Sequence, residues 1–364
     1  MNPLFLKKAD QYLGSILVKL LPASVMLKGG VPLSPRFLLI RPGGIGDAVL
    51  LCPAICTIKS VYSASRIDVL AEVRNSSIFK LCPEVETIYR YDRLGELSSC
   101  MKNFYDVVID TEQWHRLSAV VSRLVRADLR VGFATNERRR MFHQQVRYSH
   151  DDYEAACFFR LLDFIEVKQR AVPSSCLVVP KEVRRLVGDL VPAGQNRLVV
   201  FFPGASIAER RWGLEKFRAL AGRLAHNGFS VVVVGGREDQ AAGEFIAGGG
   251  DALNRAGQTT LVESAAIIDQ SSLLVSGDSG ILHVGVGLGK PTVSLFGPGI
   301  AQKWAPRGEN HIVINKKLTC SPCTKFGSTP KCPIDAKCMK DISIDEVFEA
   351  VMALLERTQD QKAN

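Results

Sequence analysis

Short apolar runs that end in glycine-rich or polar loops and then lead into helices recur along this chain of 364 residues. The first run spans residues 37–40 and lies between Pro35 and Pro42. A short, continuously apolar segment of this kind is typical of a parallel strand that is buried on both faces of its sheet. The recurring pattern therefore predicts β-α-β alternation and places the chain in the α/β class.

The same alternation begins again in the second half of the chain, at residues 198–202. Two Rossmann-like halves in tandem, with a cleft between them, are therefore expected. Helices are expected to begin near Ala48 and after Asp278, and to run over 214–227 and 344–355. The remaining predicted strands lie at 67–71, 107–110, 230–234, 273–276 and 292–296.

The chain carries an excess of basic residues, with 46 Lys and Arg against 37 Asp and Glu. The formal charge of +9 favours an anionic partner, such as a nucleotide, a nucleic acid or an acidic membrane surface. Apolar residues make up 46% and charged residues 23% of the sequence, which excludes a mainly disordered protein. No export signal is recognised, so the ten cysteines are expected to stay mostly reduced in the cytosol.

Residues 4–21 are predicted to form an amphipathic helix, because Leu13, Leu17 and Leu20 fall near one face. Lysines and an aspartate interrupt the segment, which is therefore too polar to span a membrane. Two interpretations stay open: the helix docks on its own domain, or it attaches the protein peripherally to an anionic membrane.

The first predicted strand leads into a glycine loop that ends at Asp47. This loop fits the G-x-G-x-x-G pattern of dinucleotide sites poorly, although Glu72 ends the second strand, where a ribose ligand of NAD would lie. A carboxylate at a helix N-terminus would also repel a pyrophosphate. Asp47 is interpreted either as a helix cap or, as we favour, as a general base that faces the cleft.

A phosphate site is predicted after the strand at 198–202, where Ser206 precedes Arg210 and Arg211. A hydroxyl and two guanidinium groups suit a phosphate, because arginine offers a fixed charge and bidentate hydrogen bonds. The alternative is a solvated basic turn.

A second anion site is predicted where Asp278, Ser279 and Gly280 open a helix after the strand at 273–276. Free backbone N–H groups at a helix start bind anions, and glycine lets a phosphate approach the backbone. His283 lies one turn inside this helix, which favours a functional role for it over that of an ordinary buried polar residue.

Four cysteines follow the pattern C-x2-C-x8-C-x5-C, which resembles a metal knuckle without matching a standard zinc ribbon. A structural metal, a redox-sensitive pair and unpaired structural thiols stay open as interpretations. The cluster is expected to lie far from the strand ends and outside the catalytic site. Its members are Cys320, Cys323, Cys332 and Cys338.

Arg138, Arg139 and Arg140 form a basic patch in the first half. The patch is interpreted either as a solvated face or as a contact surface for an acidic acceptor. Nucleic acid is not expected, because neither interleaved aromatic residues nor a nucleic-acid motif accompanies the patch.

From about Arg36 to Leu355 the sequence resembles glycosyltransferase family 9, the ADP-heptose:lipopolysaccharide heptosyltransferases. The resemblance rests on three blocks in a fixed order. A stretch at 320–323 (CSPC) is also similar to one found in a branch of the family. The blocks are 38–47 (LLIRPGGIGD), 202–206 (FPGAS) with 210–212 (RRW), and 277–283 (GDSGILH) continuing to 290–291 (KP) and 294–298 (SLFGP).

The resemblance implies a GT-B fold, in which two Rossmann-like domains face a central cleft, and an inverting transfer without a catalytic metal or required cofactor. Asp47 matches the family's catalytic base, and the acceptor is assigned to Gly44 and the arginines at 138–140. Arg210 replaces the usual lysine and Gly213 the usual proline; arginine still neutralises a phosphate, so activity is expected to be kept. The matching donor-binding residues are Ser206, Arg210, Glu238, Asp278, Ser279, Gly280 and His283.

The implied function is transfer of heptose from ADP-heptose to a hydroxyl of the lipopolysaccharide core, on a lipid A–Kdo or heptose acceptor. The alternatives are a related transferase that uses another nucleotide sugar for a surface polysaccharide, a GT-B epimerase, and a non-catalytic GT-B scaffold. The expected partners are a nucleotide-sugar donor and an anionic glycolipid acceptor, with no nucleic acid. A cytoplasmic location is expected, with peripheral contact at the cytoplasmic face of the bacterial inner membrane.

Four segments are predicted on this basis, and their limits follow the pattern of strands and helices described above. They are an N-terminal amphipathic helix and linker (1–34), a Rossmann-like acceptor-binding domain (35–178), a Rossmann-like nucleotide-sugar-binding domain (179–342), and a closing C-terminal helix and tail (343–364).

Overall fold

The computed structural model describes residues 10–25, 30–167, 175–191, 197–325 and 328–363. The chain separates into two compact units, Met1–Cys176 (unit 1) and Leu177–Asn364 (unit 2). Each unit contains a six-stranded sheet. Residues 4–9 of the predicted N-terminal helix lie outside the described residues.

The sheet of unit 1 consists of parallel strands. They are β1 (Arg36–Arg41), β2 (Arg66–Ala71), β3 (Thr87–Arg90), β4 (Phe104–Asp110), β5 (Arg126–Phe133) and β6 (Gln144–Val146). Their order across the sheet is β3-β2-β1-β4-β5-β6. Leu39 of β1 pairs with Val69 on one side and Ile109 on the other. Every residue of β1 except Arg36 is buried, which explains its continuous apolar run.

Helices connect the strands of unit 1. They are α1 (Ser15–Leu20), α2 (Ile45–Val61), α3 (Ser76–Phe79), α4 (Leu94–Lys102), α5 (Arg116–Leu124) and α6 (Glu154–Leu161). A π-helical turn at Asp10–Gly14 precedes α1, and 3-10 turns lie at Glu137–Met141 and Leu162–Ile165.

The sheet of unit 2 repeats the arrangement of the first. Its strands are β7 (Leu198–Phe202), β8 (Ser230–Val233), β9 (Leu253–Asn254), β10 (Leu273–Gly277), β11 (Thr292–Phe296) and β12 (His311–Asn315). They are parallel and follow the order β12-β11-β10-β7-β8-β9. Read in the reverse direction and numbered from β7 as the first strand, this order is 3-2-1-4-5-6, the same as in unit 1. It is the strand order of the Rossmann fold.

The helices of unit 2 cover both faces of this sheet. They are α7 (Lys181–Leu186), α8 (Leu214–His226), α9 (Gln240–Ala247), α10 (Leu261–Gln270), α11 (Gly280–Gly287), α12 (Ala301–Trp304), α13 (Lys337–Lys340) and α14 (Ile344–Ala363). The terminal helix α14 joins the main core of unit 2, where Val351 and Leu354 pack in one cluster with Leu220 and Leu224 of α8. Short 3-10 turns lie at Gly188–Leu190, Ala208–Arg210 and Arg237–Asp239.

The N-terminal turn and α1 dock on unit 1 through a face other than the predicted apolar one. Asp10 accepts a hydrogen bond at 2.7 Å from a backbone N–H in the first turn of α5, and Val18 is fully buried. Leu13, Leu17 and Leu20 are exposed instead, because the short helix turns its small residues inward. Within the described residues, no helix is long and apolar enough to cross a bilayer.

The prediction of a basic surface patch at 138–140 is wrong for Arg138, because this side chain is fully buried. The 3-10 turn at Glu137–Met141 points Arg138 towards the carboxyl end of β4, where its Nη2 donates to Asp110 at 2.7 Å. The same guanidinium donates to the Phe133 carbonyl at 3.1 Å. Arg139 and Arg140 stay exposed. Arg138 therefore neutralises a buried carboxylate inside unit 1.

Replacing Arg138 with methionine should destabilise the protein by about 3–5 kcal/mol, because it leaves Asp110 buried without its cation. Urea unfolding followed by circular dichroism measures the loss. Arg139→Met is the matched control and should shift the free energy of unfolding by less than about 0.5 kcal/mol, since Arg139 is exposed. Equal effects of the two substitutions would contradict the buried ion pair.

Candidate functional site

The strand order reverses at one place in each sheet, between β1 and β4 in unit 1 and between β7 and β10 in unit 2. In open parallel sheets, ligands bind at the carboxyl ends of the strands beside such a reversal. The glycine loop and Asp47 follow β1, the segment from Ser206 to Arg210 follows β7, and Asp278 follows β10. The residues predicted from sequence therefore lie at the switch point of the unit that carries them.

The loop after β1 presents Asp47 in the first turn of α2. Gly44 occupies the N-cap position, so Asp47 is not the N-cap residue and lies instead in the first turn of the helix. Gly43 has a φ of +109°, a backbone conformation that residues with a side chain rarely adopt. A Cβ at this position would lie 3.1 Å from Arg41 Nη2. The Asp47 side chain is 22% exposed. Its carboxylate is therefore accessible to a substrate.

Arg41, at the end of β1, holds a buried positive charge beneath this carboxylate. Its Nη2 lies 3.9 Å from Asp47 Oδ2 and 3.1 Å from Glu112 Oε2. The guanidinium also donates to the Pro42 carbonyl at 2.6 Å and to the Thr111 carbonyl at 2.9 Å. Burial disfavours the charge, but the nearby carboxylates outweigh it and raise the pKa of Arg41. Asp47 thus lies beside a fixed cation.

In unit 2, Arg210 and Asp278 form an ion pair between the loops that follow β7 and β10. Arg210 Nη1 lies 3.1 Å from Asp278 Oδ2. Burial raises the pKa of Asp278, and the guanidinium of Arg210 opposes that rise. Two glycines allow the close approach: a Cβ on Gly277 would lie 3.2 Å from the Arg210 carbonyl, and one on Gly299 would lie 2.0 Å from Asp278 Oδ2.

The start of α11 combines backbone donors with a buried histidine. Ser279 is the N-cap and accepts a hydrogen bond from the Leu282 N–H at 3.2 Å. The hydroxyl of Ser279 is thus engaged with its own helix, while Gly280 opens the first turn, whose N–H groups have no partner within the helix. His283 is 4% exposed, and its Nδ1 makes no hydrogen bond among the described residues.

The remaining predicted donor residues lie in exposed positions. Ser206 is exposed in the loop after β7, and Glu238 is exposed in the 3-10 turn after β8. Trp212 anchors the segment that carries Arg210, because it is buried and its indole N–H donates to the Ile342 carbonyl at 2.9 Å.

Sequence reasoning missed the structural roles of Arg41 and Asp239. Asp239 is buried beside the exposed Glu238 and accepts the Gly236 N–H at 3.0 Å. A Cβ on Gly204 would lie 2.4 Å from its Oδ1, so Asp239 also packs against the loop after β7. For Arg41, the sequence signal that could have indicated a structural role was a charged residue at the end of an apolar strand.

Glu72, which the nicotinamide interpretation placed at the ribose, has partners of its own within unit 1. It accepts a hydrogen bond from the Tyr91 hydroxyl and pairs with Arg74.

The C-terminal cysteine cluster lies closer to a strand end than expected. Its four cysteines line one small cavity together with Pro298, which follows β11, and Glu209. The Cys323 N–H donates to the Pro298 carbonyl at 3.1 Å, so the expectation of a remote position is wrong. No three His, Cys, Asp or Glu side chains among the described residues are arranged to hold a metal ion.

The family model of glycosyltransferase family 9 (heptosyltransferase) matches residues 97–333. Lipooligosaccharide heptosyltransferase 2 of Haemophilus ducreyi is 25% identical over 308 residues, 77% of this chain and 88% of the relative. A glycosyl transferase family 9 structure from Veillonella parvula covers 90% of this chain and 99% of its own, with a TM-score of 0.76 at 19% identity. E. coli ADP-heptose LPS heptosyltransferase II has a TM-score of 0.72 at 21% identity, covering 89% of this chain and 99% of its own.

Two Rossmann-type sheets with charged residues at their switch points define an α/β protein of the GT-B class, and the similar solved structures confirm that fold. The family model covers well over half of the sequence. The chain belongs to glycosyltransferase family 9 and is a glycosyltransferase.

His283 should make the stability of the protein depend on acid pH. Burial lowers the pKa of His283 to about 4, whereas an exposed histidine titrates near 6.5. Between these values the unfolded chain binds the additional proton, so the free energy of unfolding falls as the pH drops from 6.5 towards 4. From pH 7.5 to pH 5, this residue should contribute a loss of about 2 kcal/mol.

Urea unfolding of the wild type and of His283→Gln at both pH values isolates this contribution. Burial also lowers the pKa of His143 and of His311, but these residues are present in both proteins and cancel in the comparison. The variant should lose less stability on acidification than the wild type. An identical pH dependence of the two proteins would contradict a neutral, buried His283.

Proposed function

We propose that this glycosyltransferase moves heptose from ADP-heptose to a hydroxyl of the lipopolysaccharide core, with inversion at the anomeric carbon. Membership of the family and the names of its relatives, which include an ADP-heptose LPS heptosyltransferase, support the choice of donor and acceptor. The observation that carries the mechanism is the partly exposed Asp47 carboxylate beside the buried cation of Arg41 at the switch point of unit 1.

In the proposed reaction Asp47 is the general base. It takes the proton of the acceptor hydroxyl while that oxygen forms a bond to the anomeric carbon of the donor and the bond from this carbon to the diphosphate breaks. Arg41 acts as a positioning residue, because its guanidinium is fixed by two backbone carbonyls and by Glu112. The fixed cation, 3.9 Å from Asp47 Oδ2, holds this carboxylate in place for the proton transfer. Gly44, Arg139 and Arg140 are proposed to contact the acceptor.

The leaving ADP is proposed to bind at the switch point of unit 2. Arg210 would neutralise the diphosphate, together with Ser206 and the first-turn N–H groups of α11 that begin at Gly280. Arg210 Nε and His283 Nδ1 make no hydrogen bond among the described residues, so both can serve a polar ligand. Asp278 and Ser279 orient these groups, and Glu238 is proposed to contact the ribose. The charge on the leaving group is thereby balanced by the protein without a required cofactor.

Asp47→Asn tests the proposed base. We expect kcat for transfer from ADP-heptose to heptose-deficient lipopolysaccharide to fall by about 10²–10⁴-fold, because an amide cannot accept the proton. ADP binding measured by calorimetry should be unchanged. Asp151→Asn, an exposed aspartate of the same unit, is the matched control and should keep wild-type kcat.

Four outcomes would contradict the proposal. If Asp47→Asn kept more than a tenth of the wild-type kcat, Asp47 would not be the base. If the wild type transferred sugar from another nucleotide sugar but not from ADP-heptose, the proposed donor would be wrong. ADP-heptose turnover without an acceptor would favour an epimerase, and the absence of all turnover would favour a scaffold.

We also propose that unit 1 contacts the membrane surface through α1. Leu13, Ile16, Leu17 and Leu20 are exposed on or beside this short helix. Exposed Arg139 and Arg140 lie in the 3-10 turn against which α1 packs. Apolar side chains next to basic ones are the features that bind the interface of an anionic membrane. A phosphorylated glycolipid acceptor in that membrane would meet the same basic residues.

Replacing Leu13, Leu17 and Leu20 together by serine should weaken binding to phosphatidylglycerol-containing vesicles by about tenfold or more, because three apolar side chains lose their interfacial burial. Vesicle co-sedimentation measures this loss. The matched control replaces the exposed Leu94, Leu186 and Leu253 by serine. A similar loss in the control, or an unchanged affinity in the α1 variant, would exclude α1 as the contact.

A further inference from the structure

An exposed tryptophan, Trp114, follows β4 at the carboxyl end of the sheet in unit 1. Its side chain is 45% exposed. A single exposed apolar side chain is ordinary on a protein surface. Two further features distinguish Trp114: the way in which its backbone is held, and its connection to the cation beneath Asp47.

The backbone around Trp114 is held by four side chains. The Trp114 N–H donates to Glu112 Oε1 at 3.0 Å, and its carbonyl accepts a hydrogen bond from Asn136 Nδ2 at 2.8 Å. The carbonyls of the residues before and after it accept from Thr135 at 2.6 Å and from Arg138 at 3.1 Å. The indole is thus presented from a fixed backbone, and a ligand that binds it does not have to order the loop.

Glu112 links this backbone to the proposed base. One oxygen of its carboxylate accepts the Trp114 N–H, and the other lies 3.1 Å from Arg41 Nη2. The same Nη2 lies 3.9 Å from Asp47 Oδ2. Because Arg41 and Glu112 are both buried, these contacts are shielded from water and fix Trp114 close to the Asp47 carboxylate.

A row of rings leads from Trp114 back to the same loop. The indole packs edge to face against His150, with 5.9 Å between the ring centroids, and His150 packs in the same way against Tyr148 at 5.0 Å. The Tyr148 hydroxyl donates to Glu154 at 2.7 Å, and the amide of Gln113 donates to the same carboxylate. The loop and the row therefore close a ring of contacts that supports the indole at the carboxyl end of the sheet.

We propose that Trp114 binds the acceptor sugar whose hydroxyl faces Asp47, with the sugar ring stacked on the indole. This inference rests on the proposed transfer reaction and adds the surface that holds its acceptor. The faces of a sugar ring carry C–H groups, whereas its hydroxyls point outwards around the rim. A flat indole therefore buries the C–H groups and leaves the hydroxyls to polar neighbours.

The basic residues proposed for the acceptor lie next to this surface. Asn136, which donates to the Trp114 carbonyl, is the N-cap of the 3-10 turn that carries Arg139 and Arg140. Both arginines are exposed. A phosphorylated glycolipid would thus meet an aromatic ring for its sugar and guanidinium groups for its phosphates on neighbouring segments of unit 1.

Trp114→Ala tests the stacking surface, with deacylated, heptose-deficient lipopolysaccharide as the acceptor so that no lipid chain contributes. We expect KM for this acceptor to rise about tenfold, because the sugar loses its apolar cover, and kcat to stay within about twofold of the wild type. Trp114→Phe keeps a flat ring and should hold KM within about threefold of the wild type. Phe104→Ala is the matched control, since Phe104 is also 45% exposed but lies at the other end of β4, and it should leave KM unchanged.

An unchanged KM in Trp114→Ala, or an equal rise in Phe104→Ala, would overturn the proposal. A fall in kcat alone would also overturn it, because that result would show a role in the chemical step or in folding and not in acceptor binding.

Binding of the same acceptor in the absence of donor separates this inference from the reaction. The chain has three tryptophans, of which Trp212 is buried. Titration should change the intrinsic fluorescence of the wild type, and Trp114→Phe should lose most of that change while it keeps its affinity by calorimetry. A wild type that shows the change but transfers no heptose would exclude the proposed reaction and retain the surface. A wild type without the change, or a full change in Trp114→Phe, would exclude the surface even if transfer proceeds.

Discussion

The constraint on which this protein depends is the burial of two parallel sheets whose strand order reverses next to their first strands. Strands covered on both faces consist of apolar residues and leave few positions for polar chemistry. The reversal separates the loops after two neighbouring strands and leaves room at their carboxyl ends. Asp47 follows β1 at one reversal, and Arg210 and Asp278 follow β7 and β10 at the other. Both sets of polar residues thus owe their position to strand order.

Paired charges then hold these residues in place. Arg41 and Arg138 are fully buried beneath the carboxyl ends of the strands in unit 1, and each is neutralised by carboxylates within 3.1 Å. Buried charges persist only with such partners, so each pair has a defined geometry. Glycines complete the arrangement where backbone or carboxylate must come close, as Gly299 does beside Asp278. Rigid pairing under an accessible carboxylate is what a positioned general base requires.

The sequence was sufficient to predict the central strands, because continuous apolar runs mark β1, β7, β10 and β11. It was insufficient for edge strands such as β3 and β12, which are short and whose residues are all only partly buried. Glycine loops and the residues that follow them were likewise predictable. The partnership of Arg138 with Asp110 was not, because their contact depends on the tertiary fold.

Calorimetric titration of the purified protein with ADP, UDP and GDP would show directly whether the switch point of unit 2 binds the nucleoside diphosphate of the donor, as proposed. ADP should bind tightly and selectively, and Arg210→Met should weaken ADP binding by about tenfold to a hundredfold through loss of a charged contact to phosphate. Equal affinity for the three nucleotides, or an Arg210→Met variant with wild-type affinity for ADP, would contradict it.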